Sequence, residues 1–306
     1  MTYSVLTLIE LMGARFPVLL HAVLNRFPLI VVGEDTEIVD DLVSSIAMLA
    51  PHRHTLVFWR DFTSEDEITA VWEEERHDYE VARTTVCCLS SNIRLALDRV
   101  RSFNGWIIGV TVGKRALGLE VDESVIEKLR DLLTDQSRNH GVLRVKSPSD
   151  LVFHTARPPT GKLQVERHIV NKILTRKKQS LERIRRLLKK SVRGMEVPTA
   201  IVQALLQLDE EAVKITHDMF NEEVSGFVHA ARRAVTILSR IRLAREVGAP
   251  TRLTERNLFE AIGWSIGGVS DMIRFIEAEW HEDFSDCVNS SALMGLGAWV
   301  DSMWWA

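Results

Sequence analysis

The chain has 306 residues, of which 46% are hydrophobic, and a formal net charge of -4 at pH 7. This length and apolar content suffice for one or two domains with ordinary cores and argue against extensive disorder. The acidic balance excludes a protein that is basic throughout, so nucleic-acid binding would require a local basic surface. The three cysteines, Cys87, Cys88 and Cys287, show neither a disulfide framework nor zinc-ligand spacing, which favours a reducing, cytoplasmic setting.

The N-terminal segment, residues 1–24, is apolar enough to raise the question of a signal sequence or membrane anchor. Polar residues and a proline interrupt it at Glu10, Arg15, Pro17 and His21, and no small-residue cleavage site follows a basic start. We therefore predict one or two core-facing helices in this segment and no integral membrane segment.

From Phe27 to about Ser149, short apolar runs alternate with segments of helical spacing. The runs are rich in β-branched residues and predict buried parallel strands at 29–33, 55–59, 84–89, 106–112 and 142–146. In the intervening segments, apolar residues recur every three or four positions, and Ser64 with Glu67 forms a capping-box pattern. Residues 1–150 are therefore predicted to form a doubly wound α/β domain with a mainly parallel, five-stranded sheet.

After Pro148 the strand pattern ends. Residues 151–164 contain Pro158 and Pro159 and are predicted to be a linker. From Val165 onward the spacing is almost wholly helical, with helices predicted at 165–192, 198–222, 225–247, 254–282 and 290–304. Residues 165–306 are therefore expected to form an all-helical C-terminal domain, with one of its breaks at Gly226.

The first predicted strand, turn and helix have the scaffold of a phosphate-binding loop without its chemistry. A P-loop requires G-x-x-x-x-G-K-[ST], in which backbone N–H groups and a lysine hold the phosphates. Counting from Gly33, the second glycine, lysine and Ser/Thr positions are occupied by Ile38, Val39 and Asp40. Glu34 and Asp35 lie where phosphate oxygens would lie and would repel an anion. The sequence therefore predicts the outline of a nucleotide loop that does not bind phosphate.

An α/β domain with this first turn, followed by a helical domain, resembles the AAA+ ATPases. The resemblance rests on residues 14–42 and on residues 228–262, where a long helix rich in Ala and Arg precedes a short Thr-capped helix. The family's Walker B strand ends in Asp-Glu, and its nearest match here is LVFWRDF, which contains Asp61. The resemblance implies a member that has lost hydrolysis, with a degenerate site at Gly33 and Asp61 and no cofactor. It also places Arg232 and Arg233 where relatives carry a phosphate-sensing arginine, with plain surface charge as the alternative.

The most distinctive charged element is the predicted helix near residues 172–193. Its single acid is Glu182, and its ten basic residues are Lys172, Arg176, Lys177, Lys178, Arg183, Arg185, Arg186, Lys189, Lys190 and Arg193. Leucine and isoleucine at helical spacing predict that one stripe packs while the remaining surface is cationic. Such a helix is suited to a nucleic-acid backbone, to acidic segments of the same or a partner subunit, or to an anionic membrane surface.

Two further sets of residues are candidate binding sites: the tryptophans near the C-terminus and a pair of histidines. The C-terminal tail contains Trp299, Trp304 and Trp305, which predicts docking onto the chain's own helical domain or into a protein partner or second subunit. His52 and His54 precede a strand without acidic or cysteine partners at a metal-ligand spacing, so we expect solvated loop residues.

Three functions remain open from the sequence. The leading hypothesis is a non-hydrolysing AAA+-like binding or assembly subunit that contacts nucleic acid through the basic helix. The second is a nucleotide-binding enzyme or sensor of another doubly wound class, which would use the crevice near Gly33, Asp61, Ser90 and Thr111. The third is a protein–protein interaction scaffold without a small ligand.

Overall fold

The computed structural model describes residues 3–58, 64–77, 81–100, 103, 105–112, 123–134, 139–159, 161–191, 210–249 and 251–289. A six-stranded sheet lies at its centre, formed by β1 (Leu29–Gly33), β2 (His54–Val57), β3 (Thr84–Cys88), β4 (Ile107–Thr111), β5 (Gly141–Ser147) and β6 (Asp150–Thr155). The strand order is β2-β3-β4-β1-β5-β6. The first five strands are parallel, and β6 runs antiparallel to β5.

The sheet has one strand more than the five that the sequence predicts. β6 begins directly after the Pro148–Ser149 turn, so the first residues of the predicted linker 151–164 belong to the sheet. Leu151 and Phe153 are buried while the residues between them are more exposed, which is the alternation of a strand with one covered face. The strand after the Pro148–Ser149 turn is short and lies at the edge of the sheet. The sequence pattern therefore predicts the end of the sheet at this turn, one strand too early.

Helices follow the strands in the order that the sequence predicts. They are α3 (Thr36–Ala47), α4 (Glu65–His77), α5 (Ile93–Val100) and α6 (Glu123–Thr134), preceded by α1 (Val5–Met12) and α2 (Phe16–Leu24). The capping box at α4 is present, because Ser64 and Glu67 each accept a hydrogen bond from the other's backbone N–H at 3.3 Å.

Apolar clusters cover both faces of the sheet. Along β1, Leu29 and Val31 belong to a cluster that includes α3, whereas Ile30 belongs to a second cluster that includes α5. The first cluster continues without interruption into the helices of the C-terminal region, where it includes Phe227 and Phe275. The helical region therefore shares one core with the sheet.

The N-terminal apolar segment forms part of that core. Val5–Leu24 is the one stretch of the described chain with the length and apolarity of a membrane span, and 61% of its apolar window is buried inside the structure. Leu8, Phe16 and Leu20 are completely buried. The described residues therefore contain no clear integral membrane segment.

The described C-terminal helices begin and end at other residues than the sequence predicts, except for the first, which agrees to within one residue. They are α7 (Gln164–Ser191), α8 (Glu210–Glu246), α9 (Glu255–Ile262) and α10 (Val269–Trp280). α8 runs through Gly226, where a break was expected, and the predicted helix 254–282 is divided at Gly263, which has a φ of 64°. The predicted helix at 290–304 lies outside the described residues.

Candidate functional site

The connection from β1 to α3 is too short to form a phosphate cradle. Gly33 is the last residue of β1, and Asp35 is already the N-cap of α3. The Asp35 carboxylate accepts hydrogen bonds from the backbone N–H groups of Glu37 at 2.9 Å and Ile38 at 3.2 Å. These are the helix N-terminal donors that an anion would use, and the chain's own carboxylate occupies them.

The two positions that carry the lysine and the Ser/Thr of a P-loop serve the core instead. Val39 is completely buried, and a β-carbon built on Gly33 or on Gly109 would lie 2.9 Å from one of its methyl groups. Asp40 accepts a hydrogen bond from the backbone N–H of Ser90 at 2.8 Å, which fixes the segment that follows β3. Both side chains therefore hold strands and loops together.

Of the other predicted site residues, Arg233 forms a structural contact and several lie outside the described residues. Arg233 donates from Nε and Nη2 to the carbonyl oxygen of Ile262, at 2.8 and 2.6 Å, and so caps the C-terminus of α9. Asp61 lies outside the described residues, as do Trp299, Trp304 and Trp305.

The first half of α7 is firmly anchored. Val165, Ile169 and Ile173 recur at helical spacing and are buried in the first apolar cluster. In the same half, the buried carboxylate of Glu166 lies 2.7 Å from Nδ1 of His21 on α2. Buried polar groups paired in this way fix a helix against its neighbour. The opposite face of α7 is consequently held in a defined orientation.

That opposite face and α8 form a depression of about 550 Å³, the α7 groove. The residues that α7 contributes follow spacings of three and four and are mostly polar or basic: His168, Asn171, Lys172, Thr175, Arg176 and Gln179. Across the depression, α8 contributes Ile215, Met219 and Glu222. At the same helical spacing, Arg183 and Arg186 continue the basic face beyond the depression, and both are exposed.

One acidic residue, Glu223, neutralises part of this face and leaves its C-terminal part positively charged. Glu223 on α8 lies 2.6 Å from Nζ of Lys172 and 3.7 Å from Nε2 of His168. Within the described residues, Arg176 and Arg183 have no ion-pair partner and are exposed. Positive charge therefore remains available toward the C-terminal half of α7.

The other predicted basic residues divide into three groups. Lys177 faces α1 and pairs with Glu10, and partial burial lowers the pKa of its ammonium group. Lys178 is exposed, Arg185 is half-buried, and Arg186 lies 3.9 Å from Glu182 one turn away. The side chains of Lys189 and Lys190 and the whole of Arg193 lie outside the described residues.

The sequence analysis missed the N-terminal part of the basic face. Lys162 and Arg167 line a depression next to the α7 groove. Arg167 and His168 lie four residues before Asn171 and Lys172, so the helical spacing contained the signal. Their signal is weak because the density of basic residues along the sequence rises only after Lys172.

A buried ion cluster at the amino ends of β2 and β3 was also missed. The completely buried Glu279 on α10 accepts hydrogen bonds from Nε of Arg53 at 3.0 Å and from Nη2 at 2.6 Å. Nε2 of His52 lies 3.5 Å from the same carboxylate, and Nη1 of Arg26 lies 3.9 Å from it. The expectation of a solvated His52 is wrong, because its side chain is only 6% exposed. His54 is exposed, as predicted.

Among the described residues, neither a metal-binding cluster nor an activated thiol at Cys87 or Cys88 is present. No group of three or more His, Cys, Asp or Glu side chains among them is arranged to hold a metal ion. Burial raises the pKa of both Cys87 and Cys88 to about 12, so neither thiol ionises near neutral pH. The α7 groove is the site that these residues support best.

Comparisons with known proteins add no further constraint. No family model matches the chain, and neither a curated protein nor a solved structure is significantly similar to it.

Proposed function

We propose that this chain is a cytoplasmic, non-hydrolysing binding or assembly subunit on a doubly wound, AAA+-like scaffold, and that it binds the phosphate backbone of nucleic acid through the α7 groove. The observation that carries the proposal is the one-sided face of α7, which is polar and basic over several turns and borders a groove. Backbone binding requires such a row of cations and no base-specific geometry.

The geometry at β1 supports the non-hydrolysing part of the proposal. The N-terminal donors of α3 are capped by Asp35, and the position of the phosphate-binding lysine is filled by the buried Val39. The first loop opens at the carboxyl edge of a central strand, because β1 lies between β4 and β5. This is the edge at which open α/β sheets bind their ligands.

The charges at the C-terminal half of α7 make the strongest test. In a fluorescence-anisotropy titration with duplex and single-stranded DNA and RNA, affinity is expected to fall steeply between about 50 and 200 mM salt. Replacing Arg176 and Arg183 together by Glu is expected to weaken binding at least about tenfold and to reduce the salt slope by about two, one for each lost phosphate contact. These residues are exposed and unpaired in the described structure, so the fold should persist.

The matched control is the double variant Arg240→Glu with Arg252→Glu. It changes the net charge equally, and both residues are exposed. Arg240 lies 18 residues after Glu222 on α8, or roughly 27 Å along the helix. The proposal is wrong if binding does not depend on salt or if the control weakens it as much as the α7 variant does. Saturable binding of ATP with Mg²⁺ by the parent protein would favour the nucleotide-sensor hypothesis instead.

A further inference from the structure

The α7 groove adjoins a second depression of about 470 Å³, termed the end pocket. Its polar lining consists of Lys162, Gln164, Arg167, His168, Asn171 and Ser265. His168 and Asn171 line both depressions, so the two are adjacent. At the Gln164 end of α7, the groove meets the turn between α9 and α10, which contains Ser265 and Gly267.

The backbone at the end pocket is held in a conformation that side-chain-bearing residues rarely adopt. Leu163, between the lining residues Lys162 and Gln164, has a φ of 52° and is only 6% exposed. A residue with a β-carbon persists in the left-handed region only when its surroundings fix it there. The buried Leu163 side chain therefore holds Lys162 and the start of α7 in place around the pocket.

The end pocket contains positive charge that the described chain does not neutralise. Lys162 and Arg167 are exposed, and neither has an ion-pair partner within the described residues. Two acids in this region pair with other side chains, since Glu223 lies 2.6 Å from Lys172 and Asp271, beside Gly161, lies 3.4 Å from Arg274. Two cations, a histidine and three neutral hydrogen-bonding side chains thus line one depression.

We propose that the end pocket binds the terminal phosphate monoester of a nucleic-acid strand that lies along the α7 groove. The inference rests on the proposed function, because the groove would hold the rest of the strand. A phosphate monoester carries about 1.5 to 2 negative charges near neutral pH and three acceptor oxygens, more than an internal phosphodiester. Lys162 and Arg167 match the higher charge, while Asn171 and Ser265 supply neutral donors.

Strands that differ only in their ends test this proposal. Full-length protein is titrated with labelled strands of one sequence that carry a 5′-phosphate, a 3′-phosphate or hydroxyl groups at both ends. One of the two phosphates is expected to raise affinity about tenfold over the hydroxyl-ended strand, which corresponds to about 1.4 kcal/mol, and the two arms identify which end is bound. Arg167→Gln should abolish that preference, so that the phosphate-ended and hydroxyl-ended strands bind with similar affinity.

The matched variant Arg183→Gln separates the end pocket from the groove. Arg183 lies on the same helix more than four turns from Arg167. The variant is expected to weaken binding of all three strands by the same factor. Equal affinity of the parent protein for all three strands would overturn the end-pocket proposal and leave the groove function standing. Retention of the preference in Arg167→Gln would also overturn it. If no strand binds at any salt concentration, the proposed function fails and this inference fails with it.

Discussion

Val39 packs between two strands at the position where a P-loop has its lysine. Its methyl groups would lie 2.9 Å from a β-carbon added at Gly33 and equally close to one added at Gly109. Gly33 is therefore required by packing, and its place at the end of β1 has an explanation that involves no phosphate. The residue at the position of the P-loop lysine is therefore part of the core.

We expect the effects of substitutions at Gly33 and Val39 on the free energy of unfolding to be non-additive. Gly33→Ala is expected to destabilise the protein by about 1–3 kcal/mol, because the new methyl group overlaps Val39 and lies 3.1 Å from Cβ of Val145. In a Val39→Ala background the added cost should be clearly smaller, since the closest clash is gone. Urea denaturation of the parent, both single variants and the double variant measures the coupling. Strict additivity would show that Val39 does not fill the space beside Gly33.

Residue spacing predicted the strand and helix that flank the first turn but could not find the buried ion cluster. The replaced lysine and Ser/Thr positions follow from counting along one short segment. Arg53 and Glu279 are separated by 226 positions, and neither has neighbours that indicate burial. Charged residues are usually exposed, so His52, Arg53 and Glu279 gave no signal until the fold brought them together.

Among the elements, α8 shows a helix that is continuous where its sequence suggests a break. Gly226 lies within the 37-residue helix Glu210–Glu246, and a β-carbon there would meet only a ring carbon of Trp264, at 4.0 Å. Glycine within a helix is destabilising by roughly 0.5–1 kcal/mol relative to alanine. The position is compatible with a larger residue, and the glycine has no conformational role in this structure.

Gly226→Ala is therefore expected to stabilise the protein by about 0.5–1 kcal/mol, measured by urea denaturation. Gly248→Ala, just beyond the same helix, is the matched comparison. It also has open space around it, but its φ of 90° disfavours any side chain, so stability should fall. Loss of stability in Gly226→Ala would mean that α8 bends at Gly226 after all.

Elements with strong periodicity could be predicted, and those that depend on long-range pairing could not. The predicted helix 165–192 agrees with α7, Gln164–Ser191, because the apolar spacing persists through its length. β6 was not predicted, because its pairing with β5 begins only after a Pro148–Ser149 turn that resembles the start of a linker. The groove could not be predicted either, since three of its nine lining residues come from α8.

The buried ion cluster of Arg26, His52, Arg53 and Glu279, termed the Glu279 cluster, joins the C-terminal helices to the edge of the sheet where β2 and β3 begin. Besides its contacts with Glu279, Arg53 donates to the backbone carbonyls of Val23 and Leu24 at 2.8 Å each. Arg83 donates to the carbonyl of Glu279 at 3.2 Å. Glu279 on α10 is thus linked to the end of α2 and to the residues that precede β2 and β3. The ionisation of its carboxylate is therefore coupled to the stability of the described structure.

We expect the free energy of unfolding to fall in two stages as the protein is acidified, because the Glu279 cluster contains two groups with shifted pKa values. Burial lowers the pKa of His52 below its ordinary 6.5, so the unfolded chain takes up this proton first and stability falls as the pH drops below about 6.5. Burial alone would raise the pKa of Glu279, but Arg53, His52 and Arg26 together hold it well below 4.5. That contribution is complete above about pH 4.5 and is lost progressively below it.

Urea denaturation at several pH values between about 7.5 and 4 measures both stages. His52→Gln should flatten the first stage, while His54→Gln, a neighbouring exposed position, should leave it as in the parent. Some slope should remain in His52→Gln, because burial and then Arg26 and Arg83 also lower the pKa of His281. If both variants lose stability on acidification as steeply as the parent does, protonation of His52 is not what opposes folding. The attachment of α10 to the sheet would then depend on pH only through Glu279 and His281.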